Sequence, residues 1–167
     1  MKKLFLLLVM TVAICGSAEA QKGMSGVGLN AAANYADGLS MGVGGKYQYN
    51  ASDFIRLEPS FSYYFVGSGP HDDSFSLAAL MNTHVFILSP RVLRPYVFAG
   101  IGYVVYKENY SYGDPEKDGS FGINGGLGLD WRISHKLSLQ IEAGPLYGIQ
   151  DDDMFGARAS IGFCYNF

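Results

Sequence analysis

Residues 154–167 read MFGARASIGFCYNF, and the odd-numbered positions of this stretch, from Phe155 to Phe167, are all apolar. The even-numbered positions after Met154 are small or polar and include Arg158. Successive side chains of a β-strand point to opposite faces, so a repeat of two residues indicates a strand with two unlike faces. The stretch therefore predicts a strand that separates an apolar environment from a polar one.

The same alternation recurs throughout the chain. The predicted strands are 25–35, 39–49, 54–65, 74–88, 95–107, 123–133, 137–149 and 154–167. Most are longer than the roughly 5–6 residues usual in soluble proteins and match the roughly 9–11 residues that a tilted strand needs to cross a bilayer. Connections at 50–53, 89–94 and 134–136 are short and alternate with a second set at 36–38, 66–73, 108–118 and 150–153. Pro59 and Pro145 lack a backbone donor and predict bulges or strand ends where they fall.

The polar face of these strands is too thin to be a soluble surface. Its ionisable members are Lys46, Arg56, Glu58, His84, Asp130, Arg132, Glu142 and Arg158. Glycines and small residues fill most of the rest, which suits the narrow interior of a barrel, where the charges would form a lumenal ionic network. The apolar face carries aromatic residues toward its ends and no charge in mid-strand, where Arg or Lys in a bilayer would cost roughly 2–4 kcal/mol.

These features predict an all-β fold, an eight-stranded antiparallel up-and-down transmembrane β-barrel with its apolar face outward. The alternative is a soluble lipocalin-like barrel with its apolar face inward.

The N-terminus predicts export. Lys2 and Lys3 precede an apolar run at 4–14, which is shorter than the roughly 17–25 residues of a spanning helix. Ala18 and Ala20 then supply the small residues that a signal peptidase reads. We expect a signal peptide at 1–20, cleaved after Ala20, and a barrel domain at 21–167. The expected location is the bacterial outer membrane, with both termini in the periplasm.

Composition excludes several other classes. Only 16% of the 167 residues are charged, the net charge is −3, and no basic cluster exists beyond the N-terminal lysines. A nucleic-acid partner is therefore not expected. Two cysteines are too few for a scaffold built on disulfides.

The C-terminus resembles the signal with which outer-membrane barrels commonly end. Its pattern of polar residue, glycine and final aromatic is met by Ser160, Gly162, Tyr165 and Phe167. The whole of 21–167 is similar to the small eight-stranded OmpA/OmpX-type barrels of the "porin family". This resemblance implies insertion into outer-membrane lipid by the barrel-assembly machinery, which pairs with the last strand by strand addition. It implies no single activity.

The leading functional hypothesis is a monomeric, non-enzymatic barrel with a plugged polar lumen and a structural or surface-interaction role. The main alternative is a narrow channel for ions or small solutes, lined by the same charges. A lipid-modifying enzyme is a remote alternative whose candidate base is His71, near Asp72 and Asp73. We expect no cofactor and no metal, since no second His or Cys accompanies His84 and the acidic run 151–153 lacks the spacing of a calcium loop. The sequence leaves the ligand of the outer loops open.

Overall fold

The computed structural model describes residues 22–35, 38–66, 75–87, 92–108, 116–149 and 155–167. Eight β-strands form a closed barrel in sequence order. The strands are β1 (Ser25–Tyr35), β2 (Leu39–Asn50), β3 (Ile55–Val66), β4 (Phe75–Phe86), β5 (Leu93–Glu108), β6 (Glu116–Arg132), β7 (Leu137–Gly148) and β8 (Phe155–Asn166). No helix among these residues is long and apolar enough to cross a membrane.

Every strand pairs antiparallel with its sequence neighbours, and β1 closes the barrel against β8. In that closing ladder Val27 lies opposite Tyr165 and Leu29 opposite Phe163. Closure matters because an unpaired strand edge would leave backbone amides without partners in lipid. The predicted fold class is confirmed.

The β5–β6 hairpin is longer than its sequence pattern predicts. The two strands stay paired out to Glu108 opposite Glu116, so the predicted loop 108–118 is reduced to 109–115. The extension includes Glu108 on β5 and Lys117 on β6, in a charged stretch whose composition predicts a loop. At its other end β5 begins at Leu93, so Arg94, expected in the turn 89–94, belongs to the strand.

The bulges or strand ends expected at the two prolines are also wrong. Pro59 lies inside β3 and Pro145 inside β7, and the register continues unbroken past both. Each proline is paired on one side, with Met81 of β4 and with Ala157 of β8 respectively. The missing donor instead produces a gap of two residue pairs in the ladder on the other side, toward β2 or β6.

The two faces of the barrel are inverted relative to a soluble protein. Outward side chains such as Leu29, Ile101 and Leu127 are 75%, 65% and 66% exposed, whereas Arg56 and Asp130 inside the barrel are each 1% exposed. The lipocalin-like alternative requires an apolar interior, whereas the structure places most of the large apolar residues it describes outside and encloses only a few, such as Phe86 and Phe98. Exposed aromatic residues stand near both ends, as in the interfacial girdles of membrane barrels.

Candidate functional site

Buried polar side chains fill the half of the lumen nearer to the two termini, which we call the terminal half. Because strand residues alternate between faces, the inward positions there are the even-numbered residues of the strands. Ten of them contact one another and form what we call the ion plug. Its members are Lys46, Gln48, Arg56, Glu58, His84, Arg94, Tyr96, Asp130, Gln140 and Glu142.

Asp130 anchors one side of the ion plug by accepting from two guanidinium groups. Arg56 Nη2 and Arg94 Nη2 donate to Asp130 Oδ2 at 2.9 and 2.7 Å. Arg56 Nε also donates to Asn50 Oδ1 at 3.0 Å. Both guanidinium groups lie over the Phe86 ring, at 4.8 and 4.0 Å from its centre. One carboxylate and one aromatic face thus compensate two charges removed from water.

A second group of contacts centres on Glu58. Gln48 Nε2 donates to Glu58 Oε2 at 2.6 Å, and Lys46 Nζ lies 3.4 Å from the same oxygen. Lys46 and Gln48 both donate to Gln140 Oε1 from the facing side of the barrel. These bonds join β2 and β3 to β7 through the lumen.

His84 lies between two of the three carboxylates of the ion plug, those of Glu58 and Glu142. Its Nε2 lies 3.8 Å from Glu58 Oε1 and 3.6 Å from Glu142 Oε1. The imidazole stacks on the Tyr96 ring, with centroids 4.6 Å apart and planes 9° from parallel. Tyr96 OH donates to Glu142 Oε1 at 2.7 Å, and Ser160 Oγ donates to Glu142 Oε2 at 3.1 Å. The ring is fully buried, and neither of its nitrogens makes a hydrogen bond with a residue that the structure describes.

Six of the eight ionisable residues predicted to line the lumen meet in the ion plug: Lys46, Arg56, Glu58, His84, Asp130 and Glu142. Arg158 is also buried, but it forms no ion pair within 4 Å among the described residues, and its Nε and Nη1 have no hydrogen-bond partner there. Arg132 is half-buried at the end of β6, outside the ion plug.

Sequence reasoning missed four members of the ion plug. The sequence pattern predicts a turn at Arg94, although this residue shares the even-numbered parity of Tyr96 in the same strand. Gln48, Tyr96 and Gln140 are not among the Lys, Arg, His, Asp and Glu side chains from which the lumenal network is predicted. The same parity that identified Lys46 would have found all of them.

The other half of the lumen is filled by close packing of side chains against glycines. A Cβ atom on Gly100 would lie 2.1 Å from Asn82 Oδ1, and one on Gly102 would lie 2.1 Å from a Leu80 methyl carbon. Tyr64 packs there against Ala32 and Ala78. The glycines of this region therefore make room for the larger side chains that occupy the interior.

The residues of the predicted assembly signal divide between the two faces of β8. Ser160 and Gly162 face the lumen, while Tyr165 and Phe167 face outward. Ser25 and Phe167 exchange two backbone hydrogen bonds, of 3.1 and 2.8 Å, so the last residue is tied to β1. Ala18 and Ala20 of the predicted signal peptide lie outside the described residues, as do His71 and the acidic run 151–153.

Sequence comparison assigns this architecture to a family. Residues 4–167 match the family described as outer membrane protein beta-barrel domain. The chain belongs to this outer-membrane barrel family. The resemblance to small outer-membrane barrels is thereby confirmed. No curated protein sequence matches the chain.

Solved structures of other outer-membrane barrels share the fold. The N-terminal β-barrel domain of OprF from Pseudomonas aeruginosa is 20% identical with a TM-score of 0.63, and the match covers 85% of this chain and 97% of that one. Neisserial surface protein A is 14% identical with a TM-score of 0.66, covering 89% and 99%. Ail, the attachment invasion locus protein of Yersinia pestis, is 20% identical with a TM-score of 0.59, covering 87% and 99%. At these identities the likeness shows the fold alone.

Proposed function

We propose that this protein is a closed, non-conducting barrel of the bacterial outer membrane with a structural or surface-interaction role. In this proposal the barrel is monomeric and non-enzymatic, and its termini face the periplasm. Its partners are outer-membrane lipid and, during insertion, the barrel-assembly machinery. The barrel holds the connections at the end opposite to the termini, which we call the far end, at the outer surface of the cell.

The observation that carries the proposal is that hydrogen bonds of the ion plug cross the lumen. Arg56 of β3 reaches Asp130 of β6, and Lys46 of β2 reaches Gln140 of β7. These four residues are only 1–7% exposed. Opening a path for a solute would separate buried ion pairs, and leaving one buried charge without its partner costs roughly 3–5 kcal/mol. An eight-stranded barrel is also only just wide enough for its own side chains.

The narrow-channel alternative has one observation in its favour. Several lumenal polar atoms have no hydrogen-bond partner among the described residues, including Asn30 Oδ1, Ser62 Oγ and Tyr64 OH. Buried polar atoms of this kind are commonly satisfied by water. A chain of water molecules on one side of the ion plug would become a conducting path only if the ion plug itself moved.

Single-channel recording in planar bilayers tests the proposal. We expect the refolded protein to give no reproducible conductance steps, while a wide porin inserted under the same conditions gives them. A variant in which Arg94 and Tyr96 are both replaced by alanine removes two large side chains from the ion plug and serves as the opened counterpart. Reproducible steps from the unaltered protein would refute the closed barrel and support the channel.

A further inference from the structure

We propose that Glu58, His84 and Glu142 form a binding site for one divalent transition-metal cation inside the barrel. Each residue offers one ligand atom, and the three atoms lie within 4.8 Å of one another. All three residues are buried. The site goes beyond the proposed function, because a closed barrel and a conducting one could each hold the metal.

Two of the three separations between ligand atoms are close to those of a tetrahedral site. Zinc binds His nitrogen and carboxylate oxygen at about 2.0–2.2 Å, which places neighbouring ligand atoms about 3.3–3.6 Å apart. His84 Nε2 lies 3.6 Å from Glu142 Oε1 and 3.8 Å from Glu58 Oε1. The third separation, between the ligand oxygens of Glu58 and Glu142, is no more than 4.8 Å, so closing the site around a metal requires these two carboxylates to move toward each other by up to about 1.5 Å.

The imidazole is held in a suitable orientation, and the described part of the chain offers its nitrogens no hydrogen-bond partner. Stacking on Tyr96 fixes the plane of the His84 ring, and Nε2 points toward both carboxylates. A buried polar atom without a hydrogen bond is unusual and calls for an unseen water or ion. A cation supplies the interaction that is missing at Nε2, while Nδ1 carries the proton of the neutral ring and has no hydrogen-bond partner among the described residues.

The carboxylates are oriented by hydrogen bonds from their surroundings, as ligands in metal sites commonly are. Gln48 holds Glu58 through Oε2, which leaves Oε1 directed at His84. Ser160 holds Glu142 through Oε2, and Tyr96 donates to its Oε1, which has a second lone pair to offer. The ligands and the residues that orient them come from six different strands.

Lys46 competes with the metal for the carboxylate of Glu58. Its ammonium lies 3.4 Å from Glu58 Oε2, so it repels a second cation at the same carboxylate. Two carboxylates and a neutral imidazole together balance one divalent charge. We infer that Lys46 sets the affinity of the site, and that removing its charge tightens metal binding.

Zinc retention by the refolded full chain is the direct test. The protein is refolded into detergent micelles with excess zinc, passed over a weak chelating resin to remove loosely held metal, and analysed for zinc and protein. We expect about one retained zinc ion per folded chain. Retention below roughly 0.1 ion per chain by the unaltered protein would overturn the proposal.

Three variants locate the metal. His84→Gln should abolish retention, whereas His135→Gln, in the exposed turn after β6, should retain zinc like the unaltered chain. Lys46→Met should lower the Kd for zinc roughly tenfold, equivalent to about 1.4 kcal/mol. Equal retention by folded His84→Gln would overturn the assignment. If His84→Gln fails to fold, the Lys46→Met comparison decides, and an unchanged Kd would overturn the proposal.

Discussion

Asp130 is the carboxylate that pairs with both arginines of the ion plug. It is 1% exposed and accepts hydrogen bonds from Arg56 and Arg94, which are themselves almost fully buried. Without its charge, two guanidinium groups would face each other in a medium where repulsion is poorly screened. Arg94 is less critical, because its loss leaves the Arg56–Asp130 ion pair intact.

Replacing Asp130→Asn should therefore lower the free energy of unfolding by roughly 3–5 kcal/mol. Arg94→Met should cost clearly less, since Asp130 keeps Arg56 as a partner at 2.9 Å. Urea titration of the barrels folded in lipid vesicles, followed by fluorescence, measures both. Equal urea midpoints for the two variants would show that Asp130 does not serve as a shared acceptor.

Residue parity makes the inward position of a side chain predictable, but it does not give its partner. Lys46, Arg56 and Glu142 were placed on the inner face from alternation alone. That Lys46 donates to Gln140, 94 positions away, depends on how the registers of all intervening strands add up around the barrel. A single sequence does not contain those registers explicitly, so the pairing within the ion plug could not be predicted.

The backbones of β6 and β7 approach each other closely at Gly126 and Gly144. A Cβ atom on Gly144 would lie 1.9 Å from the carbonyl oxygen of Gly125, and one on Gly126 would lie 2.2 Å from that of Ala143. The ladder gap beside Pro145 falls at this point. The close approach of the two backbones therefore depends on the absence of side chains there.

Gly144→Ala should destabilise the barrel by about 1–3 kcal/mol, because the new methyl group collides with backbone that cannot move aside. Gly45→Ala is the matched control, since a Cβ atom there would meet only the Gly28 carbonyl oxygen at 3.9 Å. Adding a side chain to this strand should be neutral or slightly stabilising. Comparable losses in urea midpoint for both variants would contradict the proposed collision.

The C-terminal end of the last strand is expected to matter for assembly in the outer membrane. Deleting Phe167 removes an outward aromatic ring that is 63% exposed and two backbone bonds to Ser25. We expect a reduced yield of folded protein in the outer membrane, whereas Phe167→Tyr should assemble normally. Heat-modifiable mobility in gel electrophoresis of isolated membranes separates folded from unfolded chains. Unchanged yield after the deletion would count against the terminal signal.

Strand existence could be predicted, whereas strand ends could not. Alternation of apolar residues identified all eight elements, because lipid imposes it wherever a strand is in the membrane. Beyond the membrane both faces meet water, and the β5–β6 hairpin continues through Lys107 and Lys117 without alternation. Pro59 and Pro145 do not end or bulge their strands, because each missing donor removes only local ladder bonds and the rest of the closed barrel keeps the strand in register.

For the whole molecule, the decisive property is the position of the barrel relative to the lipid. Trp131 is the single tryptophan of the chain, faces outward with 49% exposure, and lies near the terminal end of β6. Tryptophan favours the headgroup level of a bilayer. Phe61 also faces outward, with 54% exposure, but lies in the middle of β3.

Trp131 fluorescence should consequently be quenched more by lipids brominated near the headgroup than by lipids brominated near the chain ends. The comparison protein carries Trp131→Phe together with Phe61→Trp, and it should show the opposite preference. Depth-dependent quenching in vesicles measures both. The same depth preference in the two proteins would contradict the outward, membrane-spanning placement of these strands.

Cys164 is the only cysteine among the described residues, and its thiol is wholly enclosed by the barrel, beside Gly28 of β1. A maleimide reagent added from the aqueous phase can reach that sulfur only when β8 separates from its neighbours. Alkylation over time at low reagent occupancy therefore reports how often the β1–β8 seam opens under native conditions. Cys164 is thus a native probe of spontaneous opening of the barrel, and no additional cysteine has to be introduced for the measurement.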